Sequence, residues 1–164
     1  MTLAQAAAQA DGLAQQGAER DLAQLRSHWD EELEAAARSA DYRERAVAYR
    51  AIGQFRFRQK LELLRRGLED ESPACRGSAL LALELLSRDH PGAVNAERSR
   101  LHTLVSDAEE NPAVRRLAVM CLKNGSLQRD TIVILDGLSG DDDADRELRA
   151  AAKRVSEILK RKGR

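Results

Sequence analysis

The sequence is poor in the residues that staple, kink or stack a chain: among its 164 residues are two cysteines, three prolines and five aromatics. Two cysteines, Cys75 and Cys121, cannot build a disulfide framework or a metal-ligand cluster. Both stand at apolar positions of a helical pattern, where a reduced thiol behaves as a small buried hydrophobe. Charge of one sign is not in excess either. Lys and Arg number 27 and Asp and Glu number 27, giving a formal charge of zero. That argues against a general polyanion binder, which needs a basic surplus. It also leaves little colloidal repulsion, which favours association. No apolar run reaches the 18 residues of a spanning helix. The first basic residue is Arg20, and Gln5, Gln9 and Asp11 interrupt the alanine-rich start, so no secretory signal is expected and the cytoplasm is the expected location.

Catalytic signatures are missing as well. There is no Gly-rich phosphate loop, no Gly-x-Ser-x-Gly and no His-Glu-x-x-His. His28, His90 and His102 fall in different segments. His28 with Glu31 or Glu32 has the helical spacing of two ligands, but no second pair completes a metal site. Asp141-Asp142-Asp143 lacks the alternating ligands and glycine turn of a calcium loop. The expectation is a non-enzymatic chain without cofactor or metal.

What is abundant is alanine, leucine, arginine and glutamate, the composition of an all-α protein. One pattern recurs. Pro73-Ala-Cys75-Arg76-x-x-Ala79-x-x-Ala82-Leu83 matches Pro112-Ala-Val114-Arg115-x-x-Ala118-x-x-Cys121-Leu122. Leu148-Arg149-x-x-Ala152-x-x-Val155 is a third copy, and Tyr42-x-x-Arg45-x-x-Ala48-x-x-Ala51-Ile52 a fainter fourth. The arginines fall at 45, 76, 115 and 149, a period of 31 to 39 residues. Self-similarity at that period marks stacked helix pairs. Small residues after each arginine allow close helix crossings. Each arginine also lies near an acidic linker, so Arg45, Arg76, Arg115 and Arg149 read as a structural ladder to linker backbone or carboxylate.

In chain order, residues 1–40 read as a helical cap or hairpin, joined near Gly12 and Gly17. Repeats follow at 41–69, 70–107 and 110–139, and a capping helix at 143–162 ends one compact domain. Asp41 with Glu44 suggests a capping box, and Ser72-Pro73 and Asn111-Pro112 are cap-plus-proline starts. Asp89-His-Pro-Gly92 reads as a turn before a helix from about Ala96. Gly125 is expected to supply a left-handed helix end.

These copies, Ser72-Pro73-x-Cys75-Arg76-x-x-Ala79-x-x-Ala82-Leu83 and Asn111-Pro112-x-Val114-Arg115-x-x-Ala118-x-x-Cys121-Leu122, resemble the HEAT-repeat family. The likeness is greatest to its short bacterial branch, which includes subunits of phycobilin lyases. The resemblance implies a right-handed α-solenoid of about three to four helix pairs with atypical capping helices at both ends. First helices would form a convex side and second helices a concave one. Family members mostly act as protein-binding scaffolds. From helical phase, the concave face would carry Arg58, Gln59, Glu62, Arg66, Arg98, His102, Arg129 and Asp136. Their mixed charge suits a helix or peptide segment of another protein better than DNA.

Two alternatives differ in class. Residues 43–66 hold eight basic and two acidic residues, interleaved with aromatics, a combination that can bind nucleic acid. Residues 1–42 hold eight acidic and three basic residues, which could neutralise that patch. The second alternative, from the family likeness alone, is an accessory subunit of a larger enzyme. Whether the chain associates with itself is left open by the sequence.

Overall fold

The structure is a computed structural model that describes residues 1–163. Among the described residues it is all-helical, as the composition implies, with nine α-helices, one 3-10 turn and no strand. None of these helices is long and apolar enough to cross a membrane. The chain divides into two compact units, Met1–Leu86 and Ser87–Arg164.

The first unit begins with α1 (Leu3–Gln15) and α2 (Glu19–Ala37). Thr2 opens α1 with a reciprocal box. Its Oγ accepts from the Gln5 N–H at 3.2 Å, and the Gln5 side chain accepts from the Thr2 N–H at 2.8 Å. Gly17, at φ +71°, ends α1 in the left-handed conformation. The Ala18 N–H then reaches the Leu13 carbonyl and the Gly17 N–H the Ala14 carbonyl, a closed helix end. α1 and α2 pack on each other and on α3 (Tyr42–Gln54). The buried face of α1 is Leu3, Ala6, Ala7 and Ala10, small enough for backbones to come close. α2 supplies the larger groups Leu22, Trp29 and Leu33. A fully buried leucine or isoleucine such as Leu22, Leu33 or Ile52 contributes roughly 1.5–3 kcal/mol of transfer free energy.

After α3 come a 3-10 turn (Arg58–Lys60), the short α4 (Leu61–Leu68) and α5 (Pro73–Ser87), whose last residue already belongs to the second unit. The second helix of this repeat thus starts later than its apolar spacing suggests, because Arg56 turns the chain at φ +56°. The crossing of α3 and α5 is as tight as the small residues imply. A Cβ added at Gly53 would stand 2.5 Å from the Cα of Ala82. Asp41 caps α3 by accepting from the Arg43 N–H at 2.9 Å, but Glu44 does not complete a box.

The second unit holds α6 (Gly92–Ser106), α7 (Pro112–Leu122), α8 (Arg129–Ser139) and α9 (Arg146–Lys162). α6 starts four residues earlier than expected, directly after Pro91, which already has helical φ and ψ. Asn111 caps α7 at the Ala113 N–H, 2.8 Å, ahead of Pro112. α9 buries Leu148, Ala151, Ala152, Val155 and Leu159 and packs on both α7 and α8.

The expected left-handed glycine after α7 is not found. Among the described residues only Gly17 and Arg56 have positive φ. Gly125 is instead required for space, since a Cβ there would meet Val94 at 2.8 Å. The end of α7 is closed from outside: Lys162 Nζ donates to the carbonyls of Lys123 and Gly125 at 2.6 and 2.8 Å. A cation there complements the negative end of the helix. Cys75 and Cys121 are both buried and outside any disulfide.

Candidate functional site

The four recurring arginines share one direction. Each turns back toward the linker or helix end that precedes its own helix. Arg45 donates to the Ser39 and Ala40 carbonyls at 3.0 and 3.1 Å. Arg76 donates to the Asp70 carbonyl at 2.7 Å. Arg115 is buried and donates twice to the Val105 carbonyl, at 3.0 and 2.8 Å. Arg149 lies 3.7 Å from Asp142. Arg45 alone also reaches forward, to Asp70 in the next linker. These arginines therefore hold linkers, and their guanidiniums are turned into the fold.

The basic segment 43–66 is largely matched by carboxylates. Arg43 pairs with Asp41, Arg45 with Asp70, Arg56 with Asp11, Arg65 with Glu62, and Lys60 with both Asp30 and Glu34. Its aromatics turn inward: Tyr49, Phe55 and Phe57 are buried. Without stacked aromatics at the surface and with most charges paired, the segment offers a nucleic acid little to grip.

The expected concave residues fall in two sets. In the first unit, Arg58 and Gln59 occupy the 3-10 turn, whereas Glu62 and Arg66 lie on α4. All four are exposed. In the second unit, Arg98 and His102 stand on α6 and Arg129 and Asp136 on α8. α6 and α8 touch, and His102 crosses between them: its Nε2 lies 2.8 Å from the Thr131 hydroxyl. Burial, then the nearby Arg98 charge, push the His102 pKa below the usual imidazole value, against the pull of Asp130. Arg98 donates to Asn95 and, at 3.0 Å, to Ser126. Asp136 turns to α9, where Ser156 and Lys160 bind its carboxyl and hold its pKa below the ordinary range. It ties α8 to α9 in the second unit while its side chain stays about half exposed. Arg129 is exposed at the start of α8.

Beyond His102 the same two helices leave an open groove of about 230 Å³. Val105, Ser106, Val133, Ile134, Gly137 and Leu138 line it, together with Arg115 of α7 and Asp141 after α8. Val133 is 63% exposed, unusually so for a β-branched apolar side chain within a helix. Sequence reading passes over it because Val133 sits in an apolar run, Ile132-Val133-Ile134-Leu135, in which every residue looks inward.

A second depression, about 700 Å³, lies in the first unit where α1, the end of α2 and the start of α3 meet. Ala4, Ala35, Ala36 and Val47 form its floor, with Glu32 and Glu44 at the rim. Small side chains on three converging helices cannot fill the space between the backbones, which is why it exists.

Among the described residues no group of three or more His, Cys, Asp or Glu side chains is placed to hold a metal ion. Residues 30–102 match the family model of HEAT repeats, from the second half of α2 into α6. No curated protein and no solved structure matches the chain.

Proposed function

We propose that this chain, a HEAT-repeat protein over residues 30–102, is a non-catalytic binding module that holds a helix or peptide segment of another protein. HEAT repeats are generally protein-interaction scaffolds. The observation that supports a particular surface is the α6–α8 face. There a polar end, Arg98 with His102 and Thr131, is followed by a groove in which Val105, Val133, Ile134 and Leu138 stand beside the polar Ser106, Arg115 and Asp141, with Val133 uncovered. Such a face matches an amphipathic segment, whose apolar anchors would enter the groove while its polar groups meet Arg98 and His102. The groove is small, so a transient complex at the low end of interface size follows.

The test places a photo-crosslinking residue at Val133, with the exposed Gln16 as control position, and identifies the attached peptide by mass spectrometry. That peptide is then synthesised and titrated against the wild-type chain and the Val133→Glu and Arg98→Glu variants. A loss of about tenfold or more for Val133→Glu is expected, because a charge would enter an apolar contact. Unchanged affinity in both variants would remove the α6–α8 face from the function.

A further inference from the structure

The depression in the first unit and the outer face of α9 are complementary. We infer that the groove between α1, α2 and α3 receives the basic face of α9 from a second copy of this chain. This surface is separate from the α6–α8 face. The groove has an apolar floor, and the two carboxylates at its rim, Glu32 and Glu44, form no hydrogen-bonded ion pair among the described residues, although Glu44 lies within the field of Arg43. Arg43, which also borders the groove, is already taken by Asp41 at 3.2 Å and adds little free positive charge.

α9 presents the counterpart. Its inward face is spent on α7 and α8, and its outward face carries Arg146, Lys153, Arg154 and Arg161, all exposed and without a carboxylate partner among the described residues. The two outer positions are 15 residues apart, about 22 Å along the helix. Ala150, also exposed, leaves a low point between them. Long basic side chains can lay their aliphatic stems on an apolar floor and keep their charges at an acidic rim. Glu157 is the single carboxylate within that stripe.

The charge distribution of the sequence points the same way. Residues 1–42 hold eight acidic and three basic residues, and residues 146–164 hold eight basic and two acidic. With a net charge of zero, no overall repulsion opposes contact between the ends of different copies. The contact is heterologous, one patch against a different patch, so it closes a ring or propagates. Exposed ion pairs contribute little each, so the affinity falls on the order of tens of micromolar.

Sedimentation velocity of the full chain, from about 5 to 200 µM, tests this at about 50 and 300 mM salt. The weight-average mass should rise with concentration at low salt and return toward the monomer at high salt. E32K/E44K and K153E/R154E variants, checked for helix content by circular dichroism, should each stay monomeric. An equimolar mixture of the two should associate again, because each reversed patch then meets its complement. A wild-type chain that stays monomeric throughout overturns the inference and leaves the groove to a basic partner of another sequence. Variants that associate like wild type, or a mixture that stays monomeric, overturn it as well.

Discussion

Arg45 and Asp70 stand 25 positions apart in the sequence and meet in a parallel two-pronged contact, Nε to Oδ2 at 2.9 Å and Nη2 to Oδ1 at 3.1 Å. The same aspartate accepts from the Ser72 N–H at 2.9 Å, so one carboxylate fixes the linker that starts α5. Arg45 meanwhile holds the carbonyls before α3. Two successive linkers are thereby tied through one side-chain pair.

Burial alone would raise the Asp70 pKa. The Arg45 fork and the Ser72 N–H outweigh it and hold the carboxyl below the usual carboxylate range. A carboxylate with a depressed folded-state pKa contributes stability above its unfolded value, about 3.9, and that stability is lost as pH falls through the folded value. Asp70→Asn should therefore lower the thermal midpoint at pH 7. The gap from wild type should narrow progressively below about pH 4. A gap that stays constant from pH 7 to pH 2.5 in thermal melts would show that the charge is not what stabilises this linker.

The crossing at Gly53 gives a second prediction. A Cβ at this position would come within 2.5 Å of the Ala82 Cα and 2.9 Å of its Cβ. Backbone cannot yield as a flexible side chain can, so Gly53→Ala should cost about 1–3 kcal/mol or more through overpacking. Gly12, also inside a helix, has nothing within 4 Å of its added Cβ. Gly12→Ala should stabilise by roughly 0.5–1 kcal/mol through helix propensity. Urea denaturation of both variants checks the opposite signs.

The parts of this molecule legible in its sequence are those fixed by neighbours in the chain. Ser72-Pro73 and Asn111-Pro112 start helices because a cap and a pre-set φ act over two or three residues. Ala79 and Ala82 line a tight crossing because helical spacing places both on one face. Features set by distant groups were not legible. A glycine left-handed at 125 was the natural expectation, yet Lys162, 37 residues away, closes that helix end and Gly125 serves Val94. The bonds of Asp136 to Ser156 and Lys160, 20 and 24 residues away on α9, are likewise invisible in local spacing. Val133 and the groove rim at Glu32 and Glu44 depend on which helix lies beside which, and no local pattern carries that.

Lys60 yields a prediction at the alkaline end. It is buried, with its Nζ 2.6 Å from Asp30 and 2.7 Å from Glu34 on α2 and 4.8 Å from the centre of the Phe57 ring. Burial would lower its pKa, but the two carboxylate hydrogen bonds outweigh that and leave it raised. A lysine with a raised folded-state pKa stabilises fully below its unfolded value, about 10.4, and loses that contribution as pH rises through the folded value. Lys60→Met should cost about 1–3 kcal/mol near pH 8 from lost charged hydrogen bonds. Wild type should weaken above about pH 10.5 more than the variant does. Parallel guanidinium titrations at pH 8 and 11 decide it: an equal loss in both proteins would mean that the ammonium does not hold α2 to the turn before α4.

Arg56 occupies a conformation that an L side chain adopts at a cost of about 1–2 kcal/mol, at φ +56° where glycine is usual. Its N–H closes the end of α3 on the Gly53 carbonyl at 3.0 Å, and the Phe57 N–H does the same on Ile52. What retains an arginine there is its side chain. Nη1 donates to the Gly53 and Gln54 carbonyls at 2.9 and 3.2 Å and reaches Asp11 of α1 at 2.9 Å. Arg26 of α2 adds a bond to the Phe55 carbonyl at 3.0 Å. The guanidinium thus satisfies helix-end carbonyls and secures α1, whose alanine face contributes little burial. Arg56→Gly loses these bonds but relieves the backbone, whereas Arg56→Ala loses them and keeps the strain. The alanine variant should therefore be less stable than the glycine variant by about 1 kcal/mol. In both variants amide exchange should accelerate in α1 before it does in α4. Equal stability of the two would place the left-handed turn outside the energetics of this helix end, and unchanged exchange in α1 would separate Asp11 from the docking of that helix.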